Sequence, residues 1–177
     1  MKLETLVIRE ITKYQPETAS ECRELCSFKL RKLGEGIYRE VYKVVGADLV
    51  IKFPLKEEKW IVEVAPSTFK DHSRLEYRAC RKVLWAHKKH HAIVNFIPEI
   101  QHYNPTTGVL VMEYCTPIKK SVHTKRCKKL IAGLVKLLID AVWKGHSKGD
   151  ADMHSGNLGI SKVNGQLKII DLGYFFN

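Results

Sequence analysis

Near its C-terminal end the chain reads Asp150-Ala151-Asp152-Met153-His154-Ser155-Gly156-Asn157, and Asp171-Leu172-Gly173 begins fourteen residues after Asn157. Asp152, Asn157 and Asp171 are hard oxygen donors. Such donors suit Mg²⁺, which takes a few protein carboxylates or amides and completes its shell with phosphate oxygens and water. Three unrelated loop polars would be the ordinary reading. The ordered spacing, with a hairpin signal at Asn164-Gly165 between Asn157 and Asp171, argues for one site instead.

Two further features could meet a phosphate. Gly34-Glu35-Gly36 lies at a strand-to-strand turn, where glycines let backbone amides approach an anion closely. Alone it reads as a plain hairpin, and it is not a P-loop, because no Gly-Lys-Ser/Thr follows and no helix starts there. Lys52 ends an apolar strand one hairpin later, and Glu76 lies on an otherwise apolar helical stripe with Ala79, Cys80, Val83 and Leu84. A carboxylate facing a core needs a cationic or hydrogen-bonding partner. Lys52 and Glu76 each supply the partner the other lacks, and a lysine so held is a fixed point charge.

The elements that must carry these residues follow from pattern. Residues 1–27 read as an N-terminal extension, with a strand at Thr5–Ile11 and a helix after Pro16 capped by Thr18 or Ser20. Phe28–Leu33 alternates apolar and basic residues like a half-buried strand. Val41–Val45 and Leu49–Phe53 complete a three-stranded meander. A helix spans about 66–87. Ile97–Tyr103 and Val109–Tyr114 form a hairpin around Asn104–Gly108, and a helix with a Leu130/Leu134/Leu137/Ala141 stripe ends near Gly145. Strands at Leu158–Ser161 and Leu167–Ile170 close the chain.

Composition bounds the function. At 177 residues and 45% hydrophobic, the chain holds one domain or two closely packed lobes. No apolar run approaches the ~20 residues that span a bilayer, and MKLETLVIRE does not read as a secretory signal. Five scattered cysteines argue against a disulfide framework, so the expected compartment is cytoplasmic, with no membrane partner. A structural zinc on Cys22 and Cys26 lacks a second pair, and His87, His90 and His91 lie among lysines as in a solvated loop. The net charge of +11, densest at Lys119–Lys129, favours polyanions, including nucleic acid or ribosomes, though much of that block fits the solvated face of a helix.

Taken in order, the motifs resemble those of the protein-kinase superfamily over residues 28–173. Gly34, Gly36 and Val41 match the nucleotide loop. Leu49-Val50-Ile51-Lys52 looks like the third-strand lysine motif, and Glu76 like the helix glutamate. Met112, Glu113 and Cys115 match the gatekeeper and hinge, whose backbone meets adenine in that family. Asp152 and Asn157 match the catalytic loop, and Asp171-Leu172-Gly173 the metal-binding triplet. The Asp-Met-His-Ser-Gly-Asn loop resembles early Ser/Thr kinases of short-tailed bacteriophages and, more distantly, aminoglycoside and choline kinases.

The resemblance implies an α+β, two-lobed kinase-like fold. Its N-lobe, residues 28–115, would be a five-stranded antiparallel sheet with one long helix, and residues 116–177 a strongly reduced helical C-lobe. It implies ATP and Mg²⁺ as cofactors. Asp152 would accept the proton of the attacking hydroxyl, Lys52 braced by Glu76 would hold phosphates, His154 would neutralise the transferring group, and Asn157 and Asp171 would hold the metal. The implied partner is a protein substrate, a host transcription or translation protein if the chain is phage-encoded. Three departures stand out: Arg39 replaces the third loop glycine, where it stiffens the loop or adds a phosphate contact; Asp150 replaces a histidine; and the chain stops four residues after Gly173, with no activation segment. The catalytic loop permits one rival, a small-molecule kinase, though the chain lacks the length of the helical lobe usual there, and the truncated tail and basic surface motivate another, a nucleotide-binding pseudokinase that blocks a partner. A basic RNA- or ribosome-binding protein is a third.

Overall fold

Leu3, Val7 and Ile11 recur at every fourth position, and that period decides the first element over the β-branched composition of Thr5–Ile11. The structure, a computed structural model, describes residues 1–36, 38–55, 67–86, 95–118 and 157–171, with the side chains of the third helix described at 72–81. Leu3–Tyr14 is helix α1, not the strand expected there. It buries Val7 and Ile11, with Leu3 and Ile8 packed alongside. Gln15 ends it in the left-handed region (φ 47°), its N–H donating to Ile11 O, and Pro16 bars continuation. Helix α2, Ala19–Leu25, starts where Thr18 accepts the Glu21 N–H on its side chain, as the capping pattern predicts. Glu10 ties the two helices down by accepting from the backbone N–H of Ser27 at 2.7 Å and from its hydroxyl at 2.9 Å.

Five strands then form one antiparallel sheet, as expected, and the structure puts them in the order β1-β2-β3-β5-β4. They are β1 Leu30–Glu35, β2 Arg39–Val44, β3 Leu49–Pro54, β4 Ile100–Tyr103 and β5 Leu110–Glu113, with helix α3, Ser67–Ala86, between β3 and β4. The first strand corrects its expected character. Only Leu30 is half-buried and the remainder is exposed, because β1 is an edge strand paired with β2 alone. Gly34 also lies inside the strand, opposite Val41, just past a register shift between Lys32 and Gly34. The turn therefore starts at Gly36, whose N–H donates to Arg39 O at 2.8 Å.

The period-2 alternation of β2 and β3 gives the sheet two different faces. One carries Tyr42, Val44, Leu49, Ile51 and Phe53 against Val7, Ile11, Ala19 and Cys22 of the N-terminal helices. The other carries Val50, Leu110 and Met112, with Val41, Tyr77 and Tyr103 packed against them. Tyr77 of α3 stacks on Tyr103 of β4 with ring centroids 4.6 Å apart. The N-terminal segment thus supplies half of the sheet's core.

Contacts divide the chain into two units, Met1–Tyr77 with Glu99–Tyr114, and Arg78–Pro98 with Cys115–Asn177. The described strands of the second unit are β6 Cys115–Pro117, β7 Leu158–Ser161 and β8 Leu167–Ile169, antiparallel in that order. The β7–β8 loop runs through Asn164-Gly165 as expected, Gly165 taking φ 70°. Lys168 is buried and donates to Ile97 O at 3.1 Å. Gly159 is required by close packing rather than by its backbone angle. A Cβ there would lie 2.8 Å from Cys115 Cβ and 3.2 Å from Thr116 O. Gly159→Ala is therefore expected to cost about 1–3 kcal/mol by overpacking, read as a lower urea midpoint with an unchanged m-value.

Candidate functional site

Lys52 lies on the α3-facing side of β3, two residues from Val50 and opposite Val41 and Leu110 in the neighbouring strands. That placement removes its ammonium from water, at 5% exposure, and Glu76 of α3 answers it at 0% exposure. Lys52 Nζ donates to Glu76 Oε1 at 2.8 Å and to Oε2 at 3.0 Å. Ala79 and Cys80, on the same helical stripe as Glu76, are fully buried, so the acid does face inward as its spacing predicts. A buried ion pair of this kind offers weak net stability but fixes the direction of both groups.

Arg39 departs from its expected place. It is not in the glycine loop but is the first residue of β2, 7% exposed, and its Nη1 donates to Glu76 Oε2. One carboxylate therefore serves two cations. The preceding residue, Tyr38, lies face to face with His72, ring centroids 3.6 Å apart and planes within 15°. His72 is one helical turn before Glu76. Tyr38 and Arg39 together fasten the end of the β1–β2 turn to one face of α3. Arg39 is two residues from Val41, and the register of Val41 opposite Lys52 puts Arg39 on Lys52's face of the sheet, a placement the sequence pattern alone does not give.

Of the other nucleotide-site candidates in the first unit, Gly34 and Gly36 lie in and just after β1, and Val41 is half-buried on the Lys52 face. Met112 is buried among Val50, Leu110 and Tyr114. The Glu113 and Tyr114 amides already donate within the protein, to Glu99 O and Asp48 O, each at 2.8 Å. Glu113 is buried, with its carboxylate accepting the Glu99 N–H. The arrangement sets a fixed cation beside an apolar strand surface, which suits a ligand with an anionic group and a flat apolar one.

In the second unit, Cys115 opens β6 opposite Ser161 and is buried. Asn157 and Asp171 stand at the two ends of the β7–β8 hairpin. Its base is closed by the Ile170 N–H donating to Asn157 O at 2.8 Å, and Asp171 follows directly; both residues are half-buried. The hairpin thus brings the backbones of Asn157 and Asp171 near one another, and an amide and a carboxylate are donor types that Mg²⁺ accepts when phosphate and water complete its shell. Asp150, Asp152 and His154 lie outside the described residues, as do Lys119–Lys129, His87, His90, His91 and the 130–142 stripe.

Among the described residues no group of three His, Cys, Asp or Glu side chains could hold a metal ion, and no helix is long and apolar enough to cross a membrane. Cys22 and Cys26 are both buried, and burial pushes each thiol above its ordinary range.

The sequence model of the ABC1 atypical kinase-like domain matches residues 40–177. That segment contains Lys52, Glu76, Asn157 and Asp171 and begins one residue after Arg39. No curated protein matches the chain.

Proposed function

The chain belongs to the ABC1 atypical kinase-like domain family, and we propose that it is a Mg²⁺- and ATP-dependent phosphotransferase acting on a serine or threonine hydroxyl of a protein. The observation that supports this most is the buried Lys52–Glu76 pair at 2.8 Å, a cation fixed in direction within strand β3. In this reading residues 28–115 form the nucleotide-handling lobe and 116–177 belong to the second lobe. Lys52 binds the α- and β-phosphates while Glu76 keeps its ammonium from swinging away. The turn at Gly36 covers the phosphates, and Val41, Val50 and Met112 offer the apolar surface for the base.

Asp152 orients the acceptor hydroxyl and takes its proton as the oxygen bonds to the γ-phosphorus. The bond from that phosphorus to the bridging oxygen breaks, and ADP leaves with the electron pair. His154 neutralises charge on the transferring group. Asn157 and Asp171 would hold Mg²⁺, which when bound neutralises phosphate charge and aligns the β- and γ-groups. Catalysis is then positioning and charge stabilisation rather than covalent chemistry.

The acceptor class rests on the likeness of the Asp152–Asn157 loop to phage Ser/Thr kinases, since the family description names no acceptor. Host transcription or translation proteins are the partners that likeness implies. Incubating the protein with γ-labelled ATP, Mg²⁺ and cell lysate tests the reading. Label should pass to lysate proteins with wild type and not with Asp152→Ala. Equal labelling by both removes Asp152 from the chemistry, and ATP binding without any transfer establishes a nucleotide-binding pseudokinase instead.

A further inference from the structure

Arg39 lies just outside the segment that matches the family, yet its guanidinium reaches the same carboxylate that orients Lys52. The three charges are 7%, 5% and 0% exposed for Arg39, Lys52 and Glu76, so water does little to screen them from one another. Glu76 Oε2 is shared between Arg39 Nη1 and Lys52 Nζ, whereas Oε1 accepts from Lys52. A carboxylate oxygen that already accepts from a guanidinium attracts a second cation less strongly. Arg39 also stands close enough to Lys52 to repel it.

Both effects loosen Lys52 from Glu76 without freeing its direction. The stacked Tyr38–His72 rings add a mechanical part by fastening the residue before Arg39 to α3, one turn from Glu76. The start of β2, the turn beginning at Gly36 and the Lys52 ammonium are thereby tied through a single helix face.

We propose that Arg39 is a positioning residue for nucleotide binding. It shares Glu76 with Lys52 so that the ammonium stays directed but available to phosphate, and it holds the β1–β2 turn at that distance from α3. This rests on the phosphotransferase reading above. It places the site's affinity for ATP partly under the control of a residue that does not itself carry phosphate.

The test is a double-mutant cycle read by calorimetric titration with Mg²⁺-ATP and by steady-state kinetics. Arg39→Met should weaken ATP binding about tenfold, within the span usual for residues sharing one ion-pair network, and change kcat at saturating ATP by less than about threefold. Arg39→Gln, which can still donate to Oε2, should fall between wild type and Arg39→Met. In a Glu76→Gln background, where the shared charge is gone, Arg39→Met should change affinity by less than about twofold.

A variant that melts earlier yet binds ATP like wild type makes Arg39 a purely structural residue and overturns the proposal. An undiminished tenfold loss in the Glu76→Gln background overturns it differently, by showing that Arg39 acts on the ligand directly. Should Arg39→Met not fold, an Arg39→Gln protein with wild-type affinity is enough to reject the idea. Wild type failing to bind Mg²⁺-ATP at all would be a failure of the phosphotransferase reading itself, recognisable before any variant is made.

Discussion

Replacing Glu76 with alanine is expected to cost about 3–5 kcal/mol of stability, the loss typical when one partner of a buried ion network is removed. The size follows from what is left behind. Lys52 and Arg39 are both buried, and Glu76 supplies oxygens to each, so the substitution takes an acceptor from two buried cations at once. Urea unfolding followed by circular dichroism should show the midpoint falling with little change in slope. Glu76→Gln should lose less, because the amide oxygen still accepts a hydrogen bond while the charge is gone. If Glu76→Ala unfolds at the wild-type midpoint, the pair is either solvated in solution or replaced by other acceptors. The bracing role would then have to be withdrawn.

The residues of this network were unevenly legible in the sequence. Lys52 and Glu76 could be found because each is an anomaly of type, a charge on an apolar strand or on an apolar helical stripe, and each implies the other. Arg39 could not be read the same way. At a strand's first residue, beside a glycine turn, a charged side chain has open solvent as its natural destination, and only the sheet register shows that it lies on the face of Lys52. The strands β2, β3, β4 and β5 were legible because strand-type composition and turn residues agree along them.

The first helix was misread for a physical reason. Thr5-Leu6-Val7-Ile8 is rich in β-branched residues, whose stiffness favours strands, and propensity yields to tertiary burial when Leu3, Val7 and Ile11 can all reach one core. The same burial explains why β1 is exposed. The N-terminal helices cover Tyr42, Val44 and the central strand, leaving β1 to end the sheet at its edge. The chemistry of the glycine turn was easier to see than its position, since Gly34 belongs to a strand and Gly36 opens the turn. A bulge of one residue is invisible to a pattern of period 2 until the partner strand is known.

Lys52→Met separates binding chemistry from folding in a way that Glu76→Ala cannot. Methionine roughly keeps the apolar length of the lysine stem and removes only the ammonium. Glu76 then remains paired, because Arg39 still donates to Oε2. The stability loss should accordingly be well below that of Glu76→Ala, while phosphoryl transfer should fall about 10²–10³-fold, the usual effect of removing one electrostatic stabiliser from such a site. The comparison needs kcat/KM with Mg²⁺-ATP and a urea midpoint for the same two proteins. Equal instability in both variants would mean that Arg39 does not support Glu76 alone. Full transfer by Lys52→Met would mean that the phosphates are held elsewhere, and Arg39, the other buried cation on that carboxylate, would become the residue to test next.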